Sequence, residues 1–456
     1  MGALLKSRAG YRKEYKNLVK LGMPLMFTQI GIVVVSFADT IMVAHCGTKE
    51  LAAAAFVNSI FMVGIVMQLG FAGGLTPLIG SLFSGSDKKD VGSMMKAGVI
   101  ANVLVSLAFT AIFGVGYFFV DRMGQPEELL PLIRPYYLIV LATLLPMAIF
   151  NAFQQTSNGC TDTATPIWFI IISNALNIFG NWLLIGGEMG FPRLGLVGAG
   201  LSTLFARLFC MVGIVAIYLL SRKRREYMLG WRSRSVRQKG YLRRVWVTSY
   251  PVMIQSGIEC FMWSFGGVVS GWFGTVQLAS YQVVNVVAQL GFMIYMGFGV
   301  AMSIRVANCT GVLDVTGVRR ITTAGLHLIL VLATFASVAF VLFFHPLVAL
   351  FSPDPDVNVA ALPLLLPLIL YQYGDATQLT YSNALRGTQD VKPLLWVALL
   401  AYVVVGVPFM MLLAVVMDMR NVGVYYSFSL ALITASVAYW LCFRRAVRKL
   451  EQAKIG

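Results

Sequence analysis

FTQIGIVVVSFADTIMVA, residues 27–44, is almost unbroken apolar sequence carrying one carboxylate, Asp39. An α-helix needs about 20 apolar residues to cross the hydrocarbon core, so the stretch reads as a membrane span. An ionised carboxylate there costs several kcal/mol at least, so such residues are rare and usually face a cavity or a partner. The pattern occurs twice more. PVMIQSGIECFMWSFGG, residues 251–267, carries Glu259, and PLLLPLILYQYGDATQL, residues 363–379, carries Asp375. Binding a proton or a small cation is the least costly way to keep a carboxylate in such a place, which points to ion-coupled transport.

Working outward, apolar stretches of span length recur along all 456 residues. About twelve follow from length and breaker spacing, centred near Val33, Ile65, Leu107, Leu141, Ile171, Val212, Phe261, Leu290, Phe335, Pro367, Leu400 and Ile433. The chain is 58% hydrophobic and 12% charged, against about 25% charged in ordinary soluble proteins. Spans and short loops use up nearly the whole chain, leaving no sizeable soluble domain. The fold class expected is an all-α polytopic membrane protein.

The net charge of +16 does not mark a nucleic-acid binder. A reader of DNA concentrates its basic residues on one folded face. Here they cluster in alternate connections: Lys6 to Lys16, Lys88 to Lys96, Arg222 to Arg244, then Arg319, Arg320, Arg386, Lys392 and Arg444 to Lys449. The intervening connections carry Glu127, Glu128, Glu188, Asp354 and Asp356. That alternation is the positive-inside pattern, and it puts both termini and the long central connection in the cytoplasm. Six cysteines without CxxC spacing read as small apolar residues rather than metal ligands. No removable signal peptide is expected at the N-terminus, and the first span serves as the insertion signal.

The chain is a tandem repeat. Pro24 and Pro251 lie 227 positions apart, and one register relates Gly47-Thr48 to Gly274-Thr275, Asn58 to Asn285, Asp87 to Asp314 and Pro166 to Pro393. Six spans per half, an even number, give both halves the same orientation, as in parallel repeats about the membrane normal. The expected domains are 1–220, a basic cytoplasmic linker at 221–244, and 245–456. Repeats of this kind usually surround a central cavity and rock against each other. Gene duplication in an assembly subunit is the plainer alternative, and it leaves the intramembrane acids unexplained.

Helical spacing groups the polar residues. Asn174, Asn177 and Asn181 share one face, as do Gln282, Asn285 and Gln289, and Tyr371, Asp375, Gln378 and Ser382; Gln255 precedes Glu259 by one turn. Amides also join helices for packing alone, so the carboxylates carry more of the functional argument. At the repeat offset Asp39 corresponds to Gly266, Glu259 to Ile32 and Asp375 to Ala148. Shared architecture therefore does not explain the acids. Two sites follow, one around Asp39 and one around Glu259 and Asp375. The second, with the Gln282 amide and Tyr371 hydroxyl, is an oxygen set suited to a hard cation rather than a soft metal. Arg207, alone in LSTLFARLFCMVGIV, either pairs with a carboxylate of its half or snorkels to an interface.

These stretches together resemble the multidrug and toxic compound extrusion (MATE) family, and most of all its NorM type. The likeness runs from about Val19 to the last span and is carried by LGMPLMFTQIGIVVVSFADTIMVA, NALNIFGNWLLIGG, LGLVGAGLSTLFAR, SGIECFMWSFGG, LASYQVVNVV and YQYGDATQLTYSNALRGTQDVKP. It implies two six-helix lobes in a V and cation-driven export of organic cations, drugs and toxic compounds. The family's cation site would map to Glu259, Asp375, Gln282 and Tyr371. Its first-lobe site for proton or substrate coupling would map to Asp39, Asn177, Asn181 and Thr203. Both sets are present, so the sequence leaves Na+ and H+ open as coupling ion; no cofactor and no further metal is expected. Arg207 has no family role to inherit.

The corresponding expectations are a multi-pass protein of the cell membrane (a bacterial inner membrane), acting as a monomer on amphipathic cations and binding no nucleic acid. A lipid-linked precursor flippase of the same wider superfamily is the alternative within transport, although flippases often carry extra spans and a cationic cavity. An intramembrane enzyme is disfavoured, since His45, His327 and His345 lack metal spacing and neither HExxH nor GxSxG occurs.

Overall fold

The computed structural model describes residues 2–85, 88–232, 240–352 and 354–455, and the side chains of all these except residues 2–9, 34 and 223. Asp87, Arg234, Arg237 and Lys239, used above for the repeat and the charge pattern, lie outside the described residues. Twelve helices among the described residues are long and apolar enough to cross a membrane. In chain order they are α1 (Gly10–Ala44), α2 (Thr48–Gly85), α3 (Lys88–Tyr117), α4 (Glu127–Gly159), α5 (Ala164–Gly186), α6 (Gly195–Leu220), α7 (Tyr241–Trp272), α8 (Thr275–Gly311), α9 (Val315–Phe351), α10 (Pro355–Thr388), α11 (Lys392–Val416) and α12 (Arg420–Ile455). The described residues contain no strand. This is an all-α, multi-pass membrane architecture.

Several helices are much longer than a bilayer requires. α8 and α9 have 37 residues each, or about 55 Å at 1.5 Å per residue against a core of about 30 Å. The surplus carries many of the basic residues, so Arg319, Arg320 and Arg444 to Lys449 lie on helical extensions rather than in loops.

The repeat is not copied exactly. α2 breaks at Gly74, dividing Thr48–Gly73 from Leu75–Gly85, whereas α8 runs on without interruption. Pro77 accounts for the difference: it has no N–H to give to the Gly73 carbonyl, and at the repeat offset its place is taken by Ile304.

Two compact units emerge. One comprises residues 30–253 and the other residues 1–29 with 254–456. The partition differs from the repeat halves by exchanging the opening residues of α1 and of α7. In the first unit the Phe71 ring stands edge-on to Trp246 at 5.1 Å. A short helix, Arg225–Arg232, lies against α3, where the Gly92 and Gly230 Cα atoms face the backbones of Tyr227 and Lys89 with no room for a Cβ. In the second unit Glu14 accepts from Arg305 at 2.9 Å, Tyr15 bonds His327 at 2.9 Å, and Gly297 abuts the Met26 backbone.

Candidate functional site

The acids fall into two sites, one in each compact unit. Around Asp39, α1, α5 and α6 converge. Asn177 and Asn181, one turn apart on α5, face this interior, and both are buried. Asn181 donates to Asp39 Oδ1, and Asn177 donates to Thr203 Oγ1 at 3.2 Å. α5 and α6 come close through small residues: the Gly180 Cα faces the Ser202 side chain, and Ser202 donates to the Asn177 carbonyl at 2.7 Å. All four residues expected at the first site are thus in one place. The buried Oδ1 atoms of Asn177 and Asn181 accept from no group among the described residues, so acceptor capacity is left over beside Asp39.

Arg207 belongs to the same place. Its Nη1 donates to Thr143 Oγ1 at 2.6 Å on α4. Asp39 and Tyr136 lie within electrostatic range of its guanidinium, without a direct ion pair to Asp39. Of the two readings left open for Arg207, pairing is the one this position favours, as a through-space interaction with Asp39.

The second site joins α7, α8, α10 and α11. Asp375 accepts from the Tyr295 hydroxyl at 2.6 Å. That hydroxyl also meets Gln372 Oε1 at 2.9 Å, and Gln372 is anchored by donating to the Ala288 carbonyl at 3.1 Å. Tyr371 faces Asp375 as well, its ring set edge-on to Trp263 at 5.2 Å. Glu259 accepts through Oε1 from Gln255 and Gln378, each at 3.0 Å, and from Tyr402 at 3.5 Å. The two carboxylates are close enough to interact electrostatically. Neither they nor Asp39 belongs to an ion pair among the described residues.

Glu259, Asp375 and Tyr371 are therefore brought together as expected, but Gln282 is not. It is exposed on α8 and bonds neither acid; Gln378, Tyr295 and Tyr402 occupy the neighbouring positions instead. The stripe Tyr371, Asp375, Gln378 already contained Gln378. Tyr402 carried no such signal, because it sits in a π-helical stretch, Leu399–Gly406, where helical spacing of 3.6 does not apply.

Arg386 needs a correction too. Counted above among the basic connections, it lies in the last turn of α10 and donates to Gln255 Oε1 at 3.2 Å, within electrostatic range of Glu259. Its buried Nε has no hydrogen-bond partner among the described residues. The site thus holds two acids, one internal cation and a set of neutral amide and hydroxyl donors. No group of three His, Cys, Asp or Glu side chains able to hold a metal occurs among the described residues. Carboxylate and hydroxyl oxygens of this kind suit a proton or a hard monovalent cation.

The MatE family profile matches residues 24–183 and again 251–412, two copies set 227 residues apart at their starts, the register of the repeat. A probable multidrug resistance protein NorM of Oceanobacillus iheyensis is 25% identical over 434 residues, covering 94% of this chain and 96% of the relative. Multidrug resistance protein NorM of Vibrio cholerae is 26% identical over 398 residues, 87% of each. The Vibrio cholerae MATE transporter VcmN in its bent form superposes with a TM-score of 0.83 over 97% of this chain and 99% of that one, at 17% identity, a likeness of fold. With each of its repeats matched by the same profile, the chain belongs to the MatE family.

Proposed function

We propose that the chain is a cation-coupled antiporter of the cell membrane, driven by Na+ or H+, that exports organic cations, drugs and toxic compounds by alternating access. The observation that carries this reading is the pair Glu259 and Asp375, inside one unit, in no ion pair among the described residues, and surrounded by donors from four helices. Structural acids are normally paired; unpaired ones inside a span mark an ion pathway. Membership in the family and the names of the relatives, multidrug resistance proteins, support the cargo class. Glu259, Asp375 and Tyr371, joined by Gln378 and Tyr402, would take the coupling ion. Asp39, with Asn177, Asn181 and Thr203, would serve proton or substrate exchange in the other unit. Nothing in this scheme requires bond-making chemistry or a cofactor.

Acidic sites within apolar surroundings favour a positive charge on a greasy body, so the cargo is expected to be cationic and amphipathic. The test uses purified protein in liposomes loaded with a fluorescent lipophilic cation, under an imposed Na+ or H+ gradient of either direction. Gradient-dependent dye movement supports the reading. Dye movement that is equally fast without any gradient indicates a passive pore, and protection of cells confined to anionic compounds overturns the assigned cargo.

A further inference from the structure

At the basic end of the second unit, α9 and α12 flank a cleft of about 430 Å³ that neither acid site uses. Its walls are built by helical spacing. On α12, Trp440, Arg444 and Arg448 follow one another at intervals of four, one above the next; on α9, Arg319, Thr322 and Thr323 do the same at three and four. Tyr381 of α10 contributes to the lining. The Arg444 guanidinium rests over the Trp440 ring at 4.9 Å, which holds it in place before anything binds. Arg319 pairs with Glu451 at 2.7 Å, and both remain well exposed. Three guanidinium groups and one carboxylate leave the cleft strongly positive. Arg444 and Arg448 are exposed and have no acidic partner among the described residues.

From the structure we infer that this cleft binds the phosphate headgroup of an anionic phospholipid in the membrane leaflet on the basic side. Guanidinium forks match phosphate oxygens in a two-pronged fashion, and basic pockets between spans on the cytoplasmic side are where such headgroups bind. Two features separate a lipid from a free phosphate ion. Trp440 sits where the apolar part of α12 gives way to its basic end, the position of an interfacial aromatic. Below it the same helix continues with exposed Val437 and Ile433, and α9 with exposed Phe335 and Val331, an apolar surface of the kind acyl chains cover. A headgroup held by the arginines would have its tails lying along those residues. Arg319 would exchange Glu451 for phosphate as the lipid enters.

The full-length chain, purified and exchanged into a neutral detergent, is incubated with cardiolipin, phosphatidylglycerol, phosphatidylcholine or inorganic phosphate. Retained lipid is counted by native mass spectrometry, and thermal unfolding is followed in parallel. The two anionic lipids are expected to stay bound and to raise the unfolding temperature, while phosphatidylcholine does neither. Arg444→Gln and Arg448→Gln should each weaken retention by roughly fivefold, the value of one basic residue at an anionic surface. Arg445→Gln is the control, because it removes the same charge from the same turn outside the cleft. The double exchange Arg444→Lys with Arg448→Lys keeps the charge and should retain partial binding even if the glutamine variants fold poorly. Equal retention of phosphatidylcholine, an equal loss in Arg445→Gln, or full stabilisation by inorganic phosphate alone would overturn the lipid assignment.

Discussion

Gln255, Gln378 and Tyr402 all donate to one oxygen of Glu259, and Arg386 bonds the back of Gln255. An entering cation would meet this internal positive charge at the site, so Arg386 should set how tightly the site holds its ion. Replacing it with Gln removes the repulsion of one unit charge across a partly screened gap, and the cation concentration for half-maximal export should fall about three- to tenfold. Release should slow with it, lowering the maximal rate, while Arg386→Lys should stay near wild type. Flux measured against cation concentration decides the point; an unchanged midpoint in Arg386→Gln removes Arg386 from the site. A second residue-scale expectation concerns Cys160, just beyond the end of α4. Burial pushes its thiol up to about 12, opposed by the Tyr227 hydrogen bond and the Arg224 charge. The thiolate is the reactive form, and near pH 8 only on the order of one thiol in ten thousand is ionised. Maleimide labelling of Cys160 should therefore be very slow in the folded protein and become fast on denaturation. Labelling of folded protein at the rate of a free thiol would contradict this.

At the scale of elements, α11 is the helix whose shape matters most to the site. Two π-helical stretches, Leu399–Gly406 and Met411–Val416, flank Pro408, which has no N–H for the Val404 carbonyl. The widened turns aim Tyr402 at Glu259. Tyr402→Phe deletes one long hydrogen bond to a carboxylate and should weaken coupling-ion affinity by about fivefold, equivalent to roughly 1 kcal/mol. Wild-type affinity in that variant would make the tyrosine a packing residue. The helix Arg225–Arg232 makes a different claim on its sequence. A Cβ at Gly230 would run into the Lys89 backbone, so Gly230→Ala should cost about 1–3 kcal/mol by overpacking, read as a lowered unfolding temperature with purified protein. These elements also show which parts of the structure were legible in the sequence. Twelve spans, the repeat and both acid clusters follow from span length, one constant offset and the cost of burying charge. Tyr402 and Arg386 did not, because a π turn breaks the 3.6 spacing and because an arginine near a helix end reads as a loop charge unless its partner is known. Gln282, on a polar stripe of α8 with Asn285 and Gln289, is exposed, which its spacing in the sequence did not reveal.

For the whole molecule, the question is how two separate acid sites share one transport cycle. Asp39 lies in the unit of residues 30–253, and Glu259 and Asp375 in the unit that includes residues 254–456. The repeat did not duplicate either site, since Asp39 aligns with Gly266, and Glu259 and Asp375 align with Ile32 and Ala148. Two sites of different origin need not do the same job. If the second takes the coupling ion, neutralising either of its acids should abolish gradient-driven export, by at least about tenfold, because the ion has no other pair of carboxylates to bind. Glu259→Gln and Asp375→Asn are the variants to make. Both should still fold, because each exchange keeps the shape of the side chain and breaks no direct ion pair among the described residues. Asp39→Asn should impair export severely but leave ion binding to the second site intact. The separation is measurable in reconstituted vesicles by following dye flux and, on the same preparations, protection of the protein by Na+ or by protons. Loss of flux with retained ion protection in Asp39→Asn, and loss of both in Glu259→Gln, is the expected pattern. Wild-type flux in both second-site variants would defeat this division, move the coupling role to Asp39, and reduce Glu259 and Asp375 to the lining of a cavity.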